Sequence, residues 1–270
     1  MIKFDSVDFL YNTPVGRALL KVLVRKNVSR IGGKILNSSP SKVAVPYFIK
    51  KYDIDLSDCE KNKFNSFNDF FTRKKKYDIS FKDGNLISPC DSFLSIYKVN
   101  GKEFKIKNCM YTVDRLLRSK KLAEKFKDGY VFVFRLEPRH YHRYIYFQDG
   151  EILKERRIEG VLHSVRPAAY ENHKVFVENS REYVLMKNDD LGFFVQMEVG
   201  ALMVGKIHNH KTQPKVKKGQ EKGYFEFGGS TIIVLFEKDK VKPADSISDK
   251  CDTGFEIPVK LGSIIGSYTK

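Results

Sequence analysis

Gly228-Gly229-Ser230-Thr231-Ile232-Ile233-Val234-Leu235-Phe236 is the stretch on which the rest of the chain is organised. Four of the six residues from Thr231 to Phe236 are β-branched and no charge appears before Glu237, so the run reads as a strand enclosed on both faces. Ser230 stands at its entrance. The two glycines before it permit torsions that a Cβ forbids, which is the freedom a serine hydroxyl needs to reach its own preceding carbonyl. Three readings follow. Gly-Gly-Ser is most often a turn feeding a strand. A hydrolase nucleophile elbow is disfavoured, because it needs Gly two residues after the serine and Ile232 stands there. The third reading has Ser230 attack the Gly229 carbonyl and convert the peptide into an ester. By the tripeptide alone the turn is the first choice.

At 270 residues the chain is long enough for a full core, as one large domain or one domain with an appendage. Its 41% hydrophobic and 13% aromatic content is that of a globular protein. The net charge of +16 calls for a polyanionic partner, either nucleic acid or an anionic membrane surface. Arg-Gly repeats, zinc-finger spacing and aromatic-Gly RNA-binding motifs are all missing, which argues against nucleic acid. No window approaches 18 apolar residues, and the first residues do not begin a signal peptide, so the expectation is a cytoplasmic or peripheral membrane protein. Cys59, Cys90, Cys109 and Cys251 form no CxxC pair and read as reduced thiols.

Along the chain, residues 11–35 read as a basic amphipathic helix. Val15, Leu19, Leu20, Leu23, Val24, Val28 and Ile31 recur at helical spacing among Arg17, Lys21, Arg25, Arg30 and Lys34. Thr13-Pro14 supplies the cap and first position, and Gly32-Gly33 the stop. Such a helix either lies in a bilayer interface or packs its apolar stripe on the protein. A break at Ser38-Ser39-Pro40-Ser41 precedes a short helical segment over 42–52, and Phe67, Phe70 and Phe71 form an aromatic face at helical spacing. From Tyr77 short strands and turns take over, with one good helix expected over 112–126. The fold class is α+β, with N-terminal amphipathic helices (1–75) followed by a β-rich barrel or sandwich-like domain (76–270).

Several blocks then fall in order. The segment from Lys218 to Phe236 resembles the C-terminal segment of phosphatidylserine decarboxylases, a family in which a Gly-Ser-Thr of this kind is the self-cleavage site. Ser88-Pro89-Cys90-Asp91-Ser92 is similar to the family's Ser-Pro-x-Asp-Gly, with Ser92 in place of Gly. The stretch from Leu136 to Ile145 resembles its Leu-x-Pro-x-Asp-Tyr-His-Arg-x-His, matching at Leu136, Pro138, Tyr141, His142 and Arg143. It departs at two positions, where His140 replaces the Asp and Ile145 the second histidine. Asn179-Ser180-Arg181 occupies the place of an Asn-x-Arg element, and Val199-Gly200-Ala201 with Val204-Gly205 matches a Val-Gly-Ala-x-x-Val-Gly strand pair.

The resemblance implies a proenzyme cut between Gly229 and Ser230 into a β chain of 229 residues and an α chain of 41 (270 − 229). Ser230 becomes a covalent pyruvoyl group, and phosphatidylserine is converted to phosphatidylethanolamine with release of CO2. Asp91 then orients the histidine that removes the serine proton. Ile145 carries no proton, so another histidine must serve: His163, in a segment similar to the family's Gly-x-x-x-Ser-Val, is the first choice and His140 the reserve. An imidazole with a carboxylate partner is matched to that task near neutral pH. His142 is assigned to positioning the substrate carboxylate and supplying the proton. Unaided, Asp91 is a turn residue, and His142 a bonded strand residue. His208 and His210 lack a third ligand by spacing, so no metal is expected. The remaining expectations are an anionic membrane surface as partner, peripheral attachment at the cytoplasmic face of the cell membrane, and no nucleic acid. The assembly state, including a homo-oligomer, is left open. Ile145 also makes a non-catalytic, unprocessed lipid-surface member of the same fold the alternative.

Overall fold

A computed structural model describes residues 6–76, 84–170, 173–202, 206–211, 213–227 and 230–269. Gly228 and Gly229, the glycines of the expected cleavage site, lie outside the described residues, as do Tyr77, Met203, Val204 and Gly205.

The single N-terminal helix of the sequence reading is three. These are α1 (Ser6–Asn12), α2 (Pro14–Leu23) and α3 (Lys26–Asn37). Thr13 caps α2 as its sequence suggests, accepting from Gly16 N–H, with Pro14 in the first turn. That cap also ends α1, which is why the helix breaks there. Gly32-Gly33 does not stop α3, which runs on to Asn37 before the extended Ser38. A 3-10 turn and α4 (Val45–Tyr52) lead to α5 (Phe67–Phe71), capped by Ser66.

The expected helix over 112–126 also divides. Residues 109–112 are strand, followed by α6 (Val113–Leu117), α7 (Lys120–Ala123) and a final 3-10 turn. Arg118 takes a left-handed conformation (φ 47°) and ends α6, and the Ser119 hydroxyl accepts from Leu122 N–H to start α7. Three short helices complete the set: α8 (Pro167–Tyr170), α9 (Val175–Glu178) and α10 (Asp245–Ser248).

The strands are β1 (Asn85–Ile87), β2 (Ser92–Lys98), β3 (Glu103–Ile106), β4 (Cys109–Thr112), β5 (Tyr130–Leu136), β6 (Arg143–Ile145), β7 (Gly150–Ile158), β8 (Arg181–Asn188), β9 (Gly192–Gly200), β10 (Ile207–Asn209), β11 (Lys215–Val216), β12 (Glu221–Phe225), β13 (Ser230–Phe236), β14 (Val241–Pro243), β15 (Ile257–Val259) and β16 (Ile264–Tyr268). Eight of them form one sheet in the order β11-β7-β8-β9-β13-β5-β2-β15. The two edge strands, β11 and β15, are short and do not pair with each other. The barrel half of the expectation is therefore corrected to a sandwich-like arrangement.

β13 is the strand read from the opening stretch. It lies inside the sheet, antiparallel to β5 and β9 over all seven residues, and all seven are buried. Both faces of this sheet are covered, which is why the run needs no polar alternation. Ile233 and Leu235 face a core shared with α6, α7 and the N-terminal helices, which contribute Tyr11, Leu20 and Val24. Ile232, Val234 and Phe236 face the second core, which holds Leu86 and Ile265 from the small sheet β1-β16-β14 and Ile145, Tyr144 and Phe225 from β10-β12-β6. A third cluster gathers Phe48, Phe67, Phe70 and Phe71, with Phe227 packed against it. Phe71 and Phe227 meet edge to face at 5.1 Å, so α5 packs beside the approach to Ser230.

Candidate active site

Ser230 is fully buried, pairing across β5 with Leu136 and across β9 with Gly200. Its Oγ has no hydrogen-bond partner, nor has Thr231 Oγ1 beside it. A buried hydroxyl left unpaired costs about 1–3 kcal/mol, so this orphan is a feature to be explained by chemistry rather than by stability.

Two of the expected histidines lie in the loop between β5 and β6. Glu137, one residue beyond Ser230's partner Leu136, donates its backbone N–H to Nδ1 of His140 at 2.9 Å. A backbone N–H only donates, so the neutral His140 ring carries its hydrogen on Nε2. The negative charge of Asp91 acts on this ring, but burial dominates and lowers the His140 pKa to about 4. His142 has the opposite tautomer. Its Nδ1 is 2.9 Å from the carbonyl oxygen of His140, which only accepts, so Nδ1 carries the hydrogen and Nε2 keeps a lone pair. That Nε2 is buried and has no partner. Burial holds the His142 pKa well below the usual range, against the hydrogen bond to the His140 carbonyl, so the ring is neutral. His142 lies 4.0 Å from the Phe71 ring, which Phe227 also meets, at 5.1 Å.

His163 lies elsewhere. Ser164 N–H donates to the Tyr11 hydroxyl at 2.9 Å, which leaves that hydroxyl's hydrogen for His163 Nδ1 at 3.0 Å. Nε2 of His163 is 3.5 Å from Glu178, and the ring stacks on His173 at 5.9 Å. Both ring nitrogens are thus committed to the helical side of the molecule. No contact between Asp91 and the first-choice His163 appears among the described residues, and the Asp91 charge acts on His140 instead. Asp91 also accepts from Leu261 N–H at 2.8 Å and faces the exposed Lys260 at 4.0 Å. Replacing Tyr11 by Phe removes a partner from both His163 and Ser164, and a loss of about 1–3 kcal/mol in urea unfolding is expected.

Asn179 and Arg181 act as backbone braces. Asn179 donates to the carbonyls of His163 and Gly200 and accepts from His163 N–H, tying that segment to Ser230's neighbour. Arg181 donates to four carbonyls, those of Leu116, Val177, Asn179 and Arg115. His208 and His210 each bond one carboxylate, Glu226 and Glu221. Among the described residues no three His, Cys, Asp or Glu side chains gather as a metal site.

Sequence reasoning missed three buried charges. Lys222 and Glu198 form a fully buried ion pair at 2.5 Å, completed by Asn209, and Glu198 lies opposite Ile232 on the face that Ser230 shares. Burial raises the Glu198 pKa, and Lys222 opposes it. Arg73 is buried against Phe70, with Nε and Nη1 unpartnered. Lysine among polar neighbours and arginine after an aromatic pair both look like surface residues in a sequence.

A family model described as phosphatidylserine decarboxylase matches residues 67–266. The chain is similar to the phosphatidylserine decarboxylase proenzyme 2 of Clostridium acetobutylicum, 42% identical over 98% of this chain and 92% of that protein. A phosphatidylserine decarboxylase proenzyme of Clostridium perfringens is 36% identical, covering 97% of this chain and 92% of its own. That of Fusobacterium nucleatum is also 36% identical, over 97% and 91%.

Proposed function

The chain belongs to the phosphatidylserine decarboxylase family, and we propose that it is a proenzyme that cuts itself between Gly229 and Ser230 and then decarboxylates phosphatidylserine. The observation that carries this reading is the buried, unpartnered Ser230 hydroxyl at the head of a central strand. Opposite it stands Gly200, which has no side chain to fill the space, so the position suits a pyruvoyl group made from Ser230.

His142, rather than His163, is our choice of base, because its tautomer leaves Nε2 free to accept. Ser230 Oγ gives its proton to that nitrogen and attacks the Gly229 carbonyl, so the acyl group passes from nitrogen to oxygen. Loss of the Ser230 α-proton then breaks the Cβ–O bond, freeing the Gly229 carboxylate and leaving dehydroalanine at position 230. Addition of water and release of ammonia give the pyruvoyl group. Its ketone supplies an electron sink for the pair left behind by CO2. The chain's own part is to keep the site dry with Phe71 and Phe227, which favours loss of a carboxylate charge, and to return a proton from His142. The His140 carbonyl fixes the His142 tautomer, and the Asp91 charge acts on the His140 ring.

No helix among the described residues is long and apolar enough to cross a membrane. Val15, Leu19, Val22, Ile31, Ile35 and Val43 nevertheless lie at least half exposed on the N-terminal helices, among Arg17, Lys21, Arg30 and Lys34. That combination supports peripheral attachment of region 1–75 to an anionic membrane surface, at the cytoplasmic face. The 76–270 region then carries the catalytic fold.

Intact mass under denaturing conditions tests the proposal. The expected result is two chains of 229 and 41 residues (270 − 229), the smaller lacking a free amino terminus. A single full-length chain that decarboxylates nothing would instead establish the unprocessed lipid-surface alternative.

A further inference from the structure

A cavity of about 470 Å³ opens between helix α3 and the catalytic body. Helix α3 supplies Arg30 and Lys34 to its wall, and Lys206 comes from the segment before β10. The other charges at the cavity are already committed. Glu226 holds His208 at 2.7 Å, Arg157 is paired with Glu159 and Glu182, and Arg181 is filled by four carbonyls. Arg30, Lys34 and Lys206 have no ion-pair partner among the described residues. Three uncommitted cations around one cavity select an anion.

Two features show which anion. Ile31 and Ile35, each 60% exposed, lie beside Arg30 and Lys34 on the same helix, so an anion seated here has apolar surface next to it. Free phosphate has no use for that surface, whereas acyl chains do. The cavity also reaches towards Ser230. Ser180 lines it, the Ser180 carbonyl accepts from Gly200 N–H at 2.9 Å, and Gly200 pairs with Ser230. That is two strand steps, roughly 10 Å.

We propose that this cavity seats the phosphodiester of a glycerophospholipid between Arg30 and Lys34 on one side and Lys206 on the other, with the headgroup directed at Ser230 and the acyl chains along Ile31 and Ile35. The assignment rests on the reading of the chain as a phosphatidylserine decarboxylase. Helix α3 thereby does two jobs, meeting the membrane with its isoleucines and gripping the extracted lipid with its cations.

The test is equilibrium binding of dihexanoyl phosphatidylserine, kept monomeric, to the full-length protein, with inorganic phosphate titrated separately. Binding needs no turnover, so a protein that never cleaves itself still answers the question, while the intact mass judges the enzymatic reading. The double variant R30Q/K34Q is expected to bind the short lipid about tenfold more weakly, as loss of charge-assisted bonds predicts. The control K120Q/K121Q, which removes two α7 cations outside the cavity and away from the N-terminal helices, should stay within about twofold of the unmodified chain. Equal weakening by both pairs would reduce the effect to general surface charge and overturn the proposal. So would no weakening at all, or inorganic phosphate binding as tightly as the lipid and lost in the same variant.

Discussion

Protein carrying His142→Ala is expected to remain a single chain of full mass, with cleavage slowed at least about 100-fold, the scale of losing a positioned proton acceptor. His163→Ala should cleave within about twofold of the unmodified rate, because both nitrogens of its ring are engaged, by Tyr11 and Glu178. His140→Ala is expected to fall between them, about tenfold slow. Its loss leaves Glu137 N–H without its partner but keeps the backbone carbonyl that sets the His142 tautomer. The measurement is the fraction of small chain over time in freshly synthesised protein. If His163→Ala alone abolished cleavage, the assignment of the base to His142 would be wrong and the order suggested by sequence restored.

Lys222→Met should be the most damaging change to stability outside the aromatic cores. It strands Glu198, which is completely buried, without its cation. The sign follows from linkage. Burial raises the folded-state pKa of Glu198, so the unfavourable contribution is small below the unfolded value near 4.5 and grows as pH rises towards the folded one. Without Lys222 the folded pKa rises further, and each pH unit above the unfolded value adds about 1.4 kcal/mol until the folded pKa is reached. The variant should therefore lose about 3 kcal/mol relative to the unmodified chain at pH 7 and under about 1 kcal/mol at pH 5. Urea midpoints at the two pH values report the difference. A loss equal at both would show that Lys222 matters by its packing and not by its charge.

Why sequence gave parts of this site and not others is a matter of range. β13 was legible because a strand buried on both faces favours an unbroken apolar run, and Ile232 to Phe236 supply one. The Thr13-Pro14 cap was legible because capping is settled within four residues. The continuous helices drawn over 11–35 and 112–126 were not, because an extended residue at Arg25 and a left-handed residue at Arg118 interrupt a hydrophobic period without disturbing it. The serine, the aspartate and the histidines could be named from motif blocks, but not the partners of each imidazole nitrogen. Those depend on Tyr11 reaching His163 across 152 residues, and on which backbone group meets each ring of the β5–β6 loop.

The position of β13 bears on a property beyond the site. It is hydrogen-bonded on both sides, and the segment that follows it also supplies β15 to the edge of the same sheet and β16 to the middle of another. A cut before Ser230 turns these contacts from intramolecular into intermolecular ones and removes an effective concentration of the order of millimolar. The uncut chain can regain its sheet after denaturation by itself, whereas two separated pieces must first find each other in dilute solution. Maturation would thus make the fold a one-way product whose persistence rests on the slowness of unfolding, with no dependable route of return.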